Sequence, residues 1–239
     1  MTEAYIHQTI HTLDGNVRHL DAHIAAADEA SRALFGRAFR PDTAALAARI
    51  GATLAAERPP HDRSAFVRLL LAPCGEATLR FAGVSLYRGY DLRTVRPEAV
   101  SLVYDLPLGE YPTSAQEAAD ALAAARAAAL GARCAVRCDS GGFVRSADGA
   151  PLFAAAGHRA VTPPGPRSAA ATAAAAAIEA AGMTLEVRPL RREELTAFEE
   201  LFYFDHRGVT SLSRCDGALL MDIAAARVAH AAAAGNFGE

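Results

Sequence analysis

Apolar and polar residues alternate from Glu3 to Ile10, which predicts an opening strand, and Asp14-Gly15 follows as a turn. A helical period then takes over. Ile24, Ala27, Ala30 and Leu34 fall on one face of a helix that Asp21 is expected to cap and Gly36 to stop. Residues 42–56 repeat helical spacing in alanine and leucine, and 65–71 and 77–81 read as strands around a Pro73-Cys74-Gly75 turn. A further strand is expected at 99–104. The segment Leu106-Pro107-Leu108-Gly109-Glu110-Tyr111-Pro112 breaks every period and reads as a linker.

After the linker, Ser114-Ala115-Gln116-Glu117 has the form of a capping box and opens a helix to about Gly131. Short strands at 134–138, 152–156 and 159–162 are separated by turns at Ser140-Gly141-Gly142 and Asp148-Gly149, a meander of hairpins. A helix at 168–181 ends at Gly182. Then come a strand at 184–188, a short helix at 191–198, strands at 201–204 and 209–213, a Cys215-Asp216-Gly217 turn and a closing helix at 219–230. No internal repeat is visible. The pattern predicts an α+β (mixed α/β) chain of two domains: a smaller N-terminal α/β domain at 1–107, a linker at 108–112 and a larger C-terminal α/β domain at 113–239.

Half of the residues are hydrophobic, enough for a substantial core. The net charge of −3 and the scatter of the arginines argue against nucleic acid. The small apolar run at 169–177 is far short of the ~20 residues of a membrane span. Residues 5–10 read as a strand rather than as a signal peptide. Cys134 and Cys138 share a predicted strand and lie roughly 13 Å apart along it, too far to bridge. Free thiols and a cytoplasmic location are therefore expected.

The cations change the picture most. All 24 Lys+Arg residues are arginine. Arginine keeps its proton, whereas lysine is the usual Schiff-base residue. The chain therefore cannot form an internal aldimine on a lysine, nor contain a phosphate loop ending in Gly-Lys-Ser/Thr.

Other constellations are weaker. His7 and His11, and His19 and His23, are each four apart, but no CxxC or HExxH accompanies them, so no metal site is expected. Asp205-His206 with Ser211 or Ser213 lacks a Gly-x-Ser-x-Gly elbow and reads as a loop between strands. Ser140-Gly141-Gly142 sits in a hairpin rather than at a strand-to-helix junction, a poor phosphate site.

The order of the segments resembles the PLP-dependent fold-type IV proteins: class IV aminotransferases, of the branched-chain and D-amino acid types, and aminodeoxychorismate lyase. Gln8-Thr9-Ile10 with Asp14-Gly15 resembles the family's opening strand and turn, and Leu20-Asp21-Ala22-His23 its first helix start. Asp139-Ser140-Gly141-Gly142-Phe143-Val144 followed by Pro151-Leu152-Phe153 resembles its hairpin. Thr162-Pro163-Pro164, Ala181-Gly182, Glu199-Glu200-Leu201-Phe202 and Gly208-Val209-Thr210 continue the match, which spans nearly the whole chain. The resemblance implies a two-domain fold-type IV architecture with a cleft between the domains, and a homodimer.

The family's functional positions are changed. By the family's spacing the PLP lysine falls at Thr113, beside Ser114, and neither hydroxyl forms an imine. The phosphate-gripping arginine falls at Ala26 and the pyridine-pairing glutamate at Ser146; the asparagine before Leu-Phe is Pro151, and the phosphate-binding helix start is replaced by the alanine-rich 167–174 stretch. The resemblance therefore implies no catalytic PLP residue and, as an expectation, no cofactor. Arg68 lies in a strand that in such transaminases can aim an arginine at a substrate carboxylate; the alternative is an outward-facing strand arginine. Arg68, Thr113, Ser114, Ser146 and Thr210 are the candidate pocket residues, with capping as the alternative for Ser114. Three functions remain open: a pseudoenzyme that binds a small anionic molecule or serves a structural role, an enzyme of lysine-independent chemistry on an anionic substrate, or an interaction module that pairs with an active paralogue.

Overall fold

The computed structural model describes residues 4–234 apart from His61, so Glu3 of the expected opening strand and the outer ends of the two expected domains, 1–3 and 235–239, lie outside the described residues. The chain begins with β1 (Ile6–Leu13) and β2 (Asn16–Val17), then α1 (Leu20–Phe35) and α2 (Thr43–Glu57). The strands β3 (Ala65–Leu71) and β4 (Ala77–Val84) complete an antiparallel sheet in the order β2-β1-β3-β4. Ile6, Ile10, Val67, Leu69 and Leu71 meet Ala27, Ala30, Leu46 and Ile50 of the two helices in one buried cluster.

Helix α2 starts where the sequence signals it: Asp42 accepts a hydrogen bond from the Ala45 amide at 2.7 Å. Helix α1 does not. Its N-cap is His19 in the left-handed region (φ 53°), with no side-chain cap, and Asp21 is already inside the first turn. There its charge favours the positive end of the helix without closing it. Gly36 at φ 63° ends α1 as expected.

The rest of the chain forms two further sheets. Strands β5 (Glu98–Val103), β6 (Cys134–Cys138) and β7 (Val144–Ala147) join β13 (Arg214–Cys215) and β14 (Ala218–Leu219) in the order β14-β13-β5-β6-β7. Strands β8 (Leu152–Ala156), β9 (Arg159–Thr162), β10 (Thr184–Val187), β11 (Glu200–Asp205) and β12 (Gly208–Ser211) form the other, in the order β10-β9-β8-β11-β12. Helix α3 (Ser114–Ala129) covers the first of these sheets, and α4 (Ala169–Ala180) and α5 (Ile223–Ala234) cover the second. Between the sheets Cys134, Val136, Cys138 and Val144 pack against Leu152, Ala154, Leu201 and Tyr203. The three buried cysteines and the exposed Cys74 are all free thiols. Gly208, at φ 122°, lets β12 approach the backbone of Asp91: a Cβ there would lie 2.3 Å from the Asp91 carbonyl oxygen.

The architecture is the expected mixed α/β one. The expected single meander is divided, with β6–β7 in one sheet and β8–β9 in the next. The closing helix begins at Ile223 rather than 219, because Ala218 and Leu219 pair with β13 instead. Among the described residues no helix is long and apolar enough to cross a membrane.

Candidate functional site

A cleft of about 640 Å³ opens where the N-terminal sheet faces the later layers. Strand β1 brings His7 and Thr9 to it, and β3 brings Arg68. Glu110 and Pro112 come from the linker, and Gln116, Glu117 and Asp120 from the first turns of α3. Arg137 on β6 and Ser146 on β7 form part of its wall, together with the start of α4 and the 204–207 turn.

Arg68 faces inward and pairs with Glu117, which also accepts a hydrogen bond from the Tyr5 hydroxyl at 2.7 Å. Thr113 and Ser114 are not part of the lining. Thr113, and not Ser114, caps α3: its Oγ1 accepts from the Gln116 amide at 3.2 Å. Ser114 Oγ accepts from the Tyr5 amide at 3.4 Å instead. The cap therefore lies one residue earlier than expected and the anticipated capping box does not form: Glu117 pairs with Arg68 rather than reaching back to the helix start. Thr113→Ala is expected to lower stability by about 1 kcal/mol in urea unfolding, the usual value of a threonine cap. Thr210 is buried in β12, where its Oγ1 accepts from Arg93 at 3.2 Å. Ala26, at the expected phosphate-arginine position, is buried in α1 and is not part of the lining.

Sequence reasoning missed Arg137. It is only 2% exposed although it belongs to a five-residue strand that is otherwise apolar, Cys-Ala-Val-Arg-Cys. That one charged residue in an apolar run was the available signal. Arg137 pairs with Glu110, and its guanidinium lies 5.7 Å over the Tyr104 ring. Burial lowers its pKa, but a guanidinium stays protonated. Nearby, burial raises the Asp120 carboxyl to about 6; the Tyr104 hydroxyl, donating to it at 3.4 Å, opposes the rise and the Asp148 charge adds to it.

Histidines gather on the other wall. Burial, with smaller contributions from Arg68 and His206, lowers His7 to about 3. His23 is held to about 3 chiefly by burial and bonds Gln8 at 3.0 Å, and burial lowers His206 as well. His206 packs edge-on against Phe66 at 4.8 Å. The expected reading of Asp205-His206 as an inter-strand turn fits the pairing of Asp205 with Arg207. No group of three or more metal-ligating side chains occurs among the described residues.

No family model matches the sequence, and no curated protein does. Solved structures do. A hypothetical aminotransferase from Mycobacterium tuberculosis, in its apo form, superposes with a TM-score of 0.77 at 17% identity, covering 96% of this chain and 89% of that one. The fold-type IV transaminase CpuTA1 from Curtobacterium pusillum gives 0.76 at 20% identity, over 93% and 83%. An aminotransferase from Brucella abortus bound to PLP gives 0.78 at 16% identity, over 95% and 87%. The chain has the fold of the fold-type IV aminotransferases.

Those neighbours correct one expectation, that of no cofactor. The Mycobacterium tuberculosis protein is also seen in a PLP-bound form and in a form holding alpha-ketoglutarate and PMP, and the Brucella abortus protein holds PLP. PMP carries its own amine and uses no lysine bond. The missing lysine therefore excludes an internal aldimine in this fold, and occupancy by a pyridoxal compound does not follow from it either way. The residues present do not fit a lysine-anchored group. The chain has no lysine; Thr113, at the expected anchor position, is engaged as a helix cap, and Ser146, at the position where a glutamate is expected, offers a hydroxyl rather than a carboxylate.

Proposed function

We propose that this chain is a pseudoenzyme on an aminotransferase fold: it binds a small anionic molecule in the cleft and performs no lysine-dependent transamination. The observation that carries the reading is the fate of the anchor position. By the family's spacing that position is Thr113, whose hydroxyl is engaged in starting α3, and no residue of the chain supplies a lysine amine. The anionic preference rests on two arginines, Arg68 and Arg137, that both reach the cleft lining. The division at 108–112 and a homodimer belong to the same proposal, and light scattering on the purified chain checks the assembly.

The test is chemical. The chain is mixed with PLP, reduced with borohydride and digested. The expected result is no pyridoxyl tag on any side chain, together with no conversion of amino acids to keto acids. A tagged side chain, or measurable transamination, would overturn the reading.

A further inference from the structure

Arg137 and Ser146 are direct cross-strand partners on β6 and β7, so their side chains leave the sheet on the same face. That face is opposite to the one packed between the two sheets, where Val136, Cys138 and Val144 lie. Both residues belong to the cleft wall, and both are more than nine-tenths buried, at 2% and 8% exposure.

Their polar atoms are not used up inside the protein. Glu110 takes Nη2 of Arg137, while Nε and Nη1 have no acceptor. Ser146 Oγ has no partner either, and among the other lining residues Arg68 Nε, a donor, and Gln116 Oε1, an acceptor, are likewise unpaired. A buried donor without an acceptor is costly, and a charged one more so. Buried polar atoms are nearly always paired in folded proteins, so several unpaired ones converging on a single cavity mark missing partners. Glu110 is a third exposed and reaches Arg137 from the linker, so this carboxylate does not close the site.

The chemistry of the missing partner follows from the donors. A guanidinium only donates, and it cannot release its charge. A pyridinium N–H or an ammonium group would meet a like charge and find no acceptor on it. An oxygen-rich anion would satisfy Nε or Nη1 and accept from Ser146 Oγ at the same time.

We propose that Arg137 and Ser146 form an oxyanion-binding subsite in the cleft wall, for the carboxylate or phosphate group of a small ligand. The inference rests on the reading of the cleft as a ligand site. It does not depend on the absence of transamination, because anion binding is read without any pyridoxal compound.

The experiment titrates the full chain with succinate and, separately, with inorganic phosphate, following binding by calorimetry and by thermal stabilisation. At least one anion is expected to bind the parent chain at millimolar concentration. Arg137→Met, with folding checked by circular dichroism, is expected to weaken that anion at least tenfold, and Ser146→Ala a few-fold. If Arg137→Met does not fold, the Ser146→Ala titration decides, since removing one hydroxyl beside the guanidinium leaves the charge in place. Succinate binding without phosphate binding assigns a carboxylate, and the reverse assigns a phosphate. Binding of neither anion, or equal binding to the parent chain and to each folded variant, would overturn the subsite. A pyridoxyl tag in the borohydride test would overturn the pseudoenzyme reading and leave this result standing.

Discussion

As pH falls from 6.5 to 5 the protein is expected to lose stability at a rate that climbs from about 2 to about 4 kcal/mol per pH unit. Three histidines set this figure. His7, His11 and His23 are each held to about 3 in the folded chain, chiefly because burial penalises the imidazolium. In the unfolded chain they return to the ordinary value of 6.5. Well between those values the unfolded chain binds up to one more proton per histidine than the folded one. Their stabilising contribution is therefore complete above pH 6.5 and is lost as pH falls toward 3.

The surroundings offer these imidazoles little relief from protonation. His7 faces Arg68 and His206. His11 faces Arg18, His19 and His206, bonds Ser64 Oγ at 2.7 Å and packs against Phe66 and Tyr90. His23 faces His11, His19 and His206, with Gln8 as its hydrogen-bond partner. The neighbouring charges are cationic, so a first protonation makes the next harder in the folded state and favours unfolding. Domains are typically stable by about 5–15 kcal/mol, so this slope brings unfolding within reach before most carboxylates titrate. Urea titrations at pH 7, 6.5, 6, 5.5 and 5 measure it. His23→Gln should remove about a third of the slope, since it deletes one of three titrating groups. A slope worth less than one proton in this range would show that these rings are already charged in the folded protein.

The elements that the sequence revealed are those carrying their own local signals. Helix α2 has Asp42 at its start, β3 is a run of branched and aromatic residues, and α4 is followed, after its cap Ala181, by Gly182 in the left-handed region. The division of the meander into two sheets was hidden, because β8 is buried at four consecutive positions and so shows no alternation to mark a face. Leu219 mimics helical periodicity, yet it sits in a two-residue strand whose partner is β13. The site shows the same division. Arg68 was visible because its strand has a recognisable neighbourhood. Arg137 was not, because the groups that define it arrive from elsewhere: Glu110 from the linker, Tyr104 from the residue after β5, and Ser146 from across the hairpin. An ion pair between positions 27 apart leaves no periodic trace in a sequence.

Helix α5 presents the same problem at its N-terminus, and here the consequence is a large loss of stability. Asp222 precedes the helix and has the residue type of a local cap, but its carboxylate turns outward to Arg96 at 3.2 Å. The cap comes instead from Glu200, the first residue of β11. Both of its carboxylate oxygens lie 2.8 Å from the Ala224 amide, and one accepts from the Ala225 amide at 3.1 Å. Glu200 is only 4% exposed, so water does not readily replace it. The negative charge also faces the positive end of the helix. Glu200→Ala should therefore leave two buried N–H groups unpaired and cost roughly 3 kcal/mol. For a chain of this size that lowers Tm by about 6–12 °C. The cost spreads beyond the helix start, because Ala224, Ala225, Val228 and Ala229 close the core over α4 and β11. Glu200→Gln keeps one acceptor oxygen but loses the charge and turns an N–H₂ toward the amides, so about half of the loss should remain. Thermal and urea unfolding of the two variants separate these contributions. If Glu200→Ala unfolds within about 0.5 kcal/mol of the parent chain, the range of an ordinary surface substitution, then α5 is not held at its start by this carboxylate.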